Sequence, residues 1–179
     1  MEKNRIQPLD ELNAWHQQPD PWDYVSNYED AKRKEILLNE TSGKDFKNVL
    51  DIGCGQGFVT KDLTGDKVWG IDISESAIQH ARQFANNRIN FKQGSIFEIN
   101  KLFNIKFDLV VITGVLYPQY IGNSQNLIYL LIDQILEKEG LLISVHINEW
   151  YSCRFPYLKV KQLYYDYRQY THNLEIYSK

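Results

Sequence analysis

The sequence predicts an α/β protein built on a doubly wound, mostly parallel sheet. Three observations support this prediction. Short apolar runs alternate with helical patterns from about residue 46 to 147, glycines follow the first of these runs, and two strand-like runs close the chain. Strands that alternate with helices form parallel sheets, because each helix crosses over the sheet between neighbouring strands. The two closing runs predict an antiparallel hairpin at one edge of a seven-stranded sheet.

The length of the chain, 179 residues with 43% hydrophobic and 24% charged side chains, fits one globular domain. The first 25 residues are polar and aromatic, and we expect them to be irregular because three prolines interrupt them: Pro8, Pro19 and Pro21. A helical pattern then runs from about residue 26 to 40 and ends at Gly43. We therefore expect a cap segment and helix over residues 1–40 and the α/β domain over residues 41–179.

The first half of the α/β domain reads as alternating strands and helices. We predict strands over 48–52, 68–72 and 89–91, and helices over about 58–63 and 74–84. Ser74 is the expected N-cap of the second helix, because a serine hydroxyl can accept a hydrogen bond from an unpaired N–H of the first turn.

The second half continues the alternation and then departs from it. The run over 107–112 is so apolar that we place this strand centrally in the sheet. A helix is predicted over about 125–136, ended by Gly140, and the next strand over 141–147. The closing hairpin is predicted to pair residues 160–170 with 174–178 around a turn at Thr171-His172-Asn173.

Charge and cysteine content exclude several classes of function. The formal net charge of −3 gives no general attraction to nucleic acid. The two cysteines form no C-x-x-C pair and no cluster with histidines, so we expect a reducing compartment and no metal site. No apolar run approaches the length of a membrane span, and the charged start lacks the apolar stretch of a signal peptide. We expect a cytoplasmic protein without a membrane partner.

The strongest motif is Val49-Leu50-Asp51-Ile52-Gly53-Cys54-Gly55-Gln56-Gly57. Glycines after the first strand allow a ligand to approach the backbone closely, at the sheet edge where such folds bind ligands. Nicotinamide-binding loops read G-x-G-x-x-G, which would require a glycine at position 58, and that residue is Phe58. The spacing therefore points away from a nicotinamide.

Two carboxylates complete this pattern. A carboxylate before the glycines would repel a pyrophosphate, whereas Asp51 suits the ammonium of an amino-acid-like ligand. Asp72 ends the second strand, 21 residues further on, and can accept hydrogen bonds from two ribose hydroxyls. The alternative is a tight strand-to-helix turn that binds no ligand.

Residues from about 46 to 147 resemble the class I S-adenosylmethionine-dependent methyltransferases, which have a Rossmann-like fold. The resemblance implies S-adenosylmethionine as cofactor, with Asp51 and the glycine loop, including Cys54, at its methionine part, and Asp72 with Ile73 at the ribose. Gly94-Ser95-Ile96 stands where the family often has Gly-Asp-Ile, whose carboxylate faces the adenine amine. In this chain either the Ser95 hydroxyl makes that contact or the contact is lost. The fourth strand and Thr113 match the motif whose backbone passes the sulfonium.

A narrower resemblance links the chain to the nodulation N-methyltransferases, which act on amino sugars. It rests on Asp20-Pro21-Trp22, on Tyr28-Glu29 with Lys32 three residues later, and on Val115-Leu116-Tyr117. It implies that the lead segment, with Trp22, caps the cofactor and that Lys32 binds the cofactor's carboxylate. The alternative for Lys32 is a solvated helix face shared with its charged neighbours.

Candidates for the chemistry follow from the expected strand ends. His146, at the end of the fifth strand, is the first choice for a base, with a histidine satisfied by backbone as the alternative. Tyr117 and Tyr120 would orient the acceptor or contact the sulfonium, or else pack at the rim. We expect a small-molecule acceptor, such as an amino sugar or a surface-polysaccharide precursor, methylated on nitrogen or oxygen by a monomer or homodimer. Two alternative hypotheses remain: an RNA or DNA methyltransferase, and a non-catalytic cofactor-binding protein.

Overall fold

The structure, a computed structural model, describes residues 6–152 and 154–179. The charged start of the chain, residues 1–5, and Cys153, one of the two cysteines, lie outside the described residues. Within them, seven strands form one sheet: β1 (Asn48–Ile52), β2 (Lys67–Asp72), β3 (Ile89–Gln93), β4 (Phe107–Thr113), β5 (Leu136–Ile147), β6 (Leu158–Tyr167) and β7 (Tyr170–Ser178). Their order is β3-β2-β1-β4-β5-β7-β6. The first five strands are parallel, and β7 is antiparallel to β5 and β6. The predicted fold class is confirmed.

In the described part of the chain, six helices accompany the sheet: α1 (Leu9–Trp15), α2 (Tyr28–Thr41), α3 (Glu75–Ala81), α4 (Ile99–Leu102), α5 (Pro118–Ile121) and α6 (Gln125–Ile135). Single 3-10 turns lie at Thr60–Asp62, Arg82–Phe84 and Ile96–Glu98. Ser74 caps α3 as predicted, since its hydroxyl oxygen accepts a hydrogen bond from the Ala77 N–H at 3.2 Å. Across the described ranges, no helix is long and apolar enough to cross a bilayer.

Side chains of the sheet alternate between two separate cores, one on each face. In β1, Leu50 and Ile52 join the core that α4 and α6 cover, whereas Val49 joins the core on the opposite face with Leu37 of α2. This alternation follows from the two-residue period of a strand. Because both faces of the central strands are covered, these strands are apolar throughout, as parallel strands usually are.

The strand order determines where a ligand can bind. From β1, the chain goes outward through β2 and β3 and then returns to place β4 on the other side of β1. The connections on the two sides therefore diverge above the carboxyl ends of β1 and β4 and leave a crevice there. Asp51 lies next to the end of β1, opposite Val111 of β4 in the register.

The lead segment contains a helix that the sequence analysis did not predict. Helix α1 begins directly after Pro8, whose φ of −63° and ψ of 148° suit the N-cap position. A proline breaks a helix only when it follows the first turn, because its missing N–H is unpaired at a helix start in any case. The expectation of an irregular segment was therefore wrong for residues 9–15.

Two boundaries in the middle of the chain also differ from the prediction. The expected helix over 58–63 is only the single turn Thr60–Asp62. Gly140 does not separate a helix from a strand, because it lies inside β5, which already begins at Leu136. The pairing of β5 with β4 shifts register between Phe107 and Leu109, and Glu139 adopts a φ of 67°. An irregular strand start of this kind leaves little trace in the apolar pattern.

The closing hairpin turns three residues earlier than predicted. Strand β6 ends at Tyr167 and β7 begins at Tyr170, so the turn lies at Arg168 and Gln169. Arg168 has a φ of 53°, a conformation for which glycine or asparagine is the usual sequence signal. The polar residues Thr171 to Asn173, predicted as the turn, pair within the ladder.

Candidate active site

A cavity of about 450 Å³ opens at the carboxyl ends of β1, β2 and β4. Its walls come from the lead segment, the loops after these three strands, and the ends of β5 and β7. Among its lining residues are His16, Trp22, Tyr24, Arg33, Asp51, Gly53, Cys54, Gly55, Asp72, Ile73, Gly94, Ser95, Ile96, Thr113, Gly114, Val115, Tyr117, Tyr120, Val145, Ile147, Trp150, Tyr167, Arg168, Tyr170 and His172. Most of the residues predicted to bind a cofactor therefore meet in one place.

The glycine loop needs its first glycine for both conformation and space. Gly53 has a φ of 74°, and a Cβ added there would lie 2.0 Å from Cγ2 of Val115. The N–H groups of Gly53 and Cys54 both donate to the Ile71 carbonyl, at 2.8 and 2.9 Å. These bonds hold the turn against β2 and bring bare backbone to the cavity wall. Gly57, by contrast, does not line the cavity and packs against the ring of Phe91.

Asp51 is a buried carboxylate with one oxygen unpaired. The Thr60 hydroxyl donates to its Oδ2 at 2.6 Å, while Oδ1 is buried and has no hydrogen-bond partner among the described residues. Burial raises the pKa of Asp51 to about 6, against the lowering effect of the Thr60 bond. An unpaired buried acceptor is costly, and a cationic ligand in the cavity would relieve that cost. This arrangement fits the ammonium group of an amino-acid-like ligand.

Asp72 lies at the end of β2 and closes the glycine loop from the other side. Its Oδ2 accepts from the Gly55 N–H and its Oδ1 from the Ser74 N–H, both at 2.9 Å. Burial raises the pKa of Asp72, and the two backbone donors and the nearby His16 oppose that rise. Each oxygen keeps a further lone pair, so the carboxylate can also accept two hydroxyl groups. Its position fits the ribose contact predicted for it.

The lead segment lies over the glycine loop and forms one side of the cavity. The Gln56 side chain donates to the Gln18 carbonyl at 2.7 Å, and the Ser74 hydroxyl donates to Oδ1 of Asn13 at 2.8 Å. His16 lines the cavity, and burial lowers its pKa, in spite of the nearby Asp72. Trp22 stacks on Tyr24 with ring centroids 6.4 Å apart. A bound ligand would be enclosed between this segment and the loop.

A cationic cluster also lines the cavity. Asp30 is fully buried and pairs with Arg33 at 3.2 Å and with Arg168 at 2.9 Å, and the Tyr167 hydroxyl donates to it at 2.9 Å. Two guanidinium groups around one carboxylate leave an excess of positive charge. Arg33 and Arg168 both line the cavity, whereas Lys32 is exposed and outside the cavity lining. The residue of this basic run that reaches the cavity is therefore Arg33 and not Lys32, the residue predicted from the sequence.

The remaining cofactor candidates line the same cavity. Ser95, Ile96 and Thr113 line the cavity, and the Ser95 hydroxyl oxygen accepts from the Phe97 N–H at 3.2 Å. The hydroxyl hydrogen of Ser95 remains available to a ligand. Tyr117 and Tyr120 also line the cavity. The Tyr117 hydroxyl oxygen accepts from the Ile147 N–H at 2.7 Å, and burial raises its pKa to about 12, so this phenol is neutral at physiological pH.

The comparison with protein families is decisive for the identification. A family model described as "Methyltransferase domain" matches residues 44–174, most of the chain. The chain belongs to the methyltransferase domain family. The predicted resemblance to class I S-adenosylmethionine-dependent methyltransferases is thereby confirmed.

Two curated relatives of this chain carry different names. The chain is 33% identical over 125 residues to the ubiquinone biosynthesis O-methyltransferase of Glaesserella parasuis, a match that covers 65% of this chain and 52% of the relative. It is 29% identical over 130 residues to nodulation protein S of Azorhizobium caulinodans, covering 69% and 61% respectively. The chain thus matches between half and three fifths of the length of these curated relatives.

Solved structures show the same fold. The N-methyltransferase NodS from Bradyrhizobium japonicum WM9, in complex with S-adenosyl-L-homocysteine, superposes with a TM-score of 0.79 at 21% identity, covering 96% of this chain and 97% of that one. Magnesium protoporphyrin IX methyltransferase from Synechocystis PCC 6803 with bound S-adenosylmethionine gives 0.69 at 17% identity, covering 97% and 98%. At these identities the likeness concerns the fold.

Of the buried histidines, the two on β5 and β7, His146 and His172, lie on opposite faces of the sheet. His146 does not line the cavity and instead contacts Tyr151, with ring centroids 4.7 Å apart. His172 lines the cavity, opposite Ile147 in the register of β5 and β7. The structure therefore does not bring His146, the predicted base, to the site, because successive residues of a strand alternate faces. Sequence reasoning missed His172 because it assigned this residue to a turn.

Two further cavity residues, Arg33 and Arg168, gave no usable signal in the sequence. Arg33 stands in a short basic run whose members differ only in the face of α2 on which they lie. Its guanidinium lies 5.0 Å from the centre of the Tyr24 ring, and Tyr167 and Arg168 complete its surroundings from a hairpin far along the chain. The sequence alone does not indicate which residue of β6 faces α2.

Proposed function

We propose that this chain transfers the methyl group of S-adenosylmethionine to a nitrogen or oxygen of a small molecule. The observation that carries the proposal is the buried, unpaired oxygen of Asp51 beside the glycine loop, at the edge of the sheet where the strand order reverses. When bound, the cofactor supplies a methyl group activated by a positively charged sulfur. The protein supplies position, enclosure and electrostatics.

The cofactor residues divide according to the parts of S-adenosylmethionine. Asp51 would accept the ammonium group, and the backbone of Gly53 and Gly55 would allow the methionine part to pass. Asp72 would accept the two ribose hydroxyls, beside Ile73. Support comes from the free acceptor positions of both carboxylates and from the close packing at Gly53, which leaves no room for a side chain.

The rest of the cofactor would be held by less specific contacts. Ser95 and Ile96 would border the adenine, and Thr113 the sulfonium. Arg33, rather than Lys32, would pair with the carboxylate, since Arg33 lines the cavity and its Nε has no hydrogen-bond partner among the described residues. In this proposal residues 1–40 act as a cap, with Trp22 over the cofactor, and residues 41–179 form the methyltransferase domain.

We infer that the acceptor is an amino sugar or a precursor of a surface polysaccharide. The likeness to nodulation protein S and to the NodS structure supports this inference. We call the part of the cavity wall formed by Tyr120, Trp150, Arg168, Tyr170 and His172 the acceptor end. Its mixture of aromatic and polar side chains also suits a polar acceptor. The likeness to an O-methyltransferase favours a hydroxyl acceptor as the second candidate.

A turnover assay with paired acceptors tests the proposal. The purified chain is incubated with S-adenosylmethionine and either glucosamine, as the amine, or catechol, as the hydroxyl acceptor, and release of S-adenosylhomocysteine is measured. We expect release above the acceptor-free rate with glucosamine, and none in an Asp72→Ala control. If S-adenosylhomocysteine binds in calorimetry but neither acceptor is methylated, the result would favour a non-catalytic cofactor-binding protein. If S-adenosylhomocysteine does not bind, the proposal is refuted.

A further inference from the structure

His172 is held rigidly at the acceptor end of the cavity. It is buried on β7, and its ring stacks on Tyr167 with centroids 3.8 Å apart, while the Tyr165 ring meets it edge-on at 5.5 Å. The register of β5 and β7 places it opposite Ile147, the last residue of β5, two residues beyond Val145, which pairs with Thr113 of β4. The imidazole is thus fixed by packing on two sides, close to the loop where the sulfonium is proposed to lie.

One polar atom of this ring, Nδ1, has no structural role that the fold explains. Its Nδ1 is buried and has no hydrogen-bond partner among the described residues. Burial, together with Arg33, His146 and Arg168 nearby, lowers the pKa of His172 to about 3. The ring is therefore neutral at physiological pH, with one nitrogen that carries a hydrogen and one that offers a lone pair. A buried histidine with an unused nitrogen at a cavity wall needs an explanation.

We propose that the neutral imidazole of His172 accepts a hydrogen bond from the attacking N–H or O–H group of the methyl acceptor and directs its lone pair at the methyl carbon. The inference rests on the proposed function and names the residue that positions the acceptor. It also restricts the acceptor to one whose nucleophilic atom carries a hydrogen.

The hydrogen bond would strengthen as the reaction proceeds. The acceptor's lone pair forms the new bond to the methyl carbon, and the carbon–sulfur bond breaks with its electron pair going to sulfur. The attacking atom gains positive charge, so its N–H or O–H becomes a stronger donor to the imidazole. An interaction that is stronger in the transition state than in the ground state accelerates the step. The product then releases the extra proton to water, because a histidine of such low pKa does not retain it.

Other groups near the acceptor end are less suited to this task. The oxygen of Tyr117 already accepts the Ile147 N–H, and Asp30 is occupied by two arginines and Tyr167. Asp51 and Asp72 lie at the glycine loop, where the cofactor is proposed to bind. His16 and His172 both line the cavity with a buried Nδ1 that has no hydrogen-bond partner among the described residues. His16, however, lies over the glycine loop beside Gly55, where the cofactor is proposed to bind, whereas His172 is stacked on Tyr167.

Variants of His172 test the proposal with glucosamine as the probe. His172→Phe keeps an aromatic ring for stacking on Tyr167 but has no nitrogen, whereas His172→Asn and His172→Gln place an amide oxygen near Nδ1 or Nε2. We expect His172→Phe to bind S-adenosylhomocysteine as the wild type does and to lose at least tenfold in kcat. We expect one of the two amide variants to recover most of that loss. His146→Phe, on the opposite face, is the matched control and should keep kcat within threefold.

Full kcat in His172→Phe, or an equal loss in all three variants and in the His146→Phe control, would overturn the proposal. A second measurement needs no turnover: ¹⁵N NMR of histidine-labelled protein bound to S-adenosylhomocysteine. We expect a neutral His172 ring at pH 7, with one ring nitrogen shifting when glucosamine is added, and a charged ring would refute the idea. Because these variants should retain cofactor binding, failure here is distinct from failure of the proposed function, which would appear as absence of that binding.

Discussion

Replacing Asp51 with Asn should raise the stability of the protein at neutral pH while weakening its ligand. The carboxylate is buried, and only one of its oxygens is bonded, to Thr60. Burial therefore disfavours the charged form, and the pKa of Asp51 rises from 3.8 to about 6. Sites tuned for binding often sacrifice stability in this way.

The magnitude follows from the two pKa values. A carboxyl group whose pKa is raised in the fold contributes full stability below pH 3.8 and loses it as the pH rises through about 6. The ionised group then costs the fold about 3 kcal/mol at pH 8 and about 1.6 kcal/mol at pH 5. The neutral amide of Asp51→Asn does not ionise. The free energy of unfolding of the variant, relative to that of the wild type, should therefore be about 1.4 kcal/mol higher at pH 8 than at pH 5. For a domain of this size that corresponds to about 3–6 °C in Tm.

Thermal unfolding of wild type and Asp51→Asn at pH 5 and pH 8, without ligand, measures this gain. The exposed Asp66→Asn variant is the control and should show no such pH-dependent difference. In calorimetry, Asp51→Asn should bind S-adenosylhomocysteine about 10–150-fold more weakly, since a hydrogen bond to a charged group contributes about 1.5–3 kcal/mol. A variant with the same pH dependence of Tm as wild type and unchanged affinity would refute the reasoning.

Three further predictions concern the glycine loop and the buried ion cluster. Asp72→Ala should weaken S-adenosylhomocysteine binding more than tenfold in calorimetry, because the ribose loses its acceptor; unchanged affinity would exclude that role. Gly53→Ala should lower Tm and abolish binding, because the new Cβ would lie 2.0 Å from Cγ2 of Val115. Adding Val115→Ala should then recover part of the Tm. No recovery would mean that the φ of 74°, and not the contact with Val115, prevents folding. Asp30→Ala should cost about 3–5 kcal/mol in denaturant unfolding, since it leaves two arginines unpaired, whereas a loss below 1 kcal/mol would indicate that water replaces the carboxylate.

The sheet and the cofactor end of the site could be predicted because their signals are local. An apolar strand, a glycine turn and a carboxylate lie within nine consecutive residues, from Val49 to Gly57. The strand and the turn that follows it bring these groups together without help from distant residues. The N-cap role of Ser74 was predictable for the same reason, since a cap acts on its own first turn.

The acceptor end could not be predicted because it depends on pairing between distant elements. A shift of the hairpin turn from residues 171–173 to Arg168 and Gln169 moves His172 out of the predicted turn and into β7. Only the register with β5 then shows that it shares a face with Ile147, while His146 faces away. Helix α1 was missed because Pro8 was taken as a helix breaker, although it suits a helix start.

A crystal structure with S-adenosylhomocysteine tests the central claim most directly. We expect the amino group of the ligand within hydrogen-bond distance of Oδ1 of Asp51 and both ribose hydroxyls on Asp72. A ligand that binds elsewhere, or one that leaves Oδ1 of Asp51 unpaired, would contradict it.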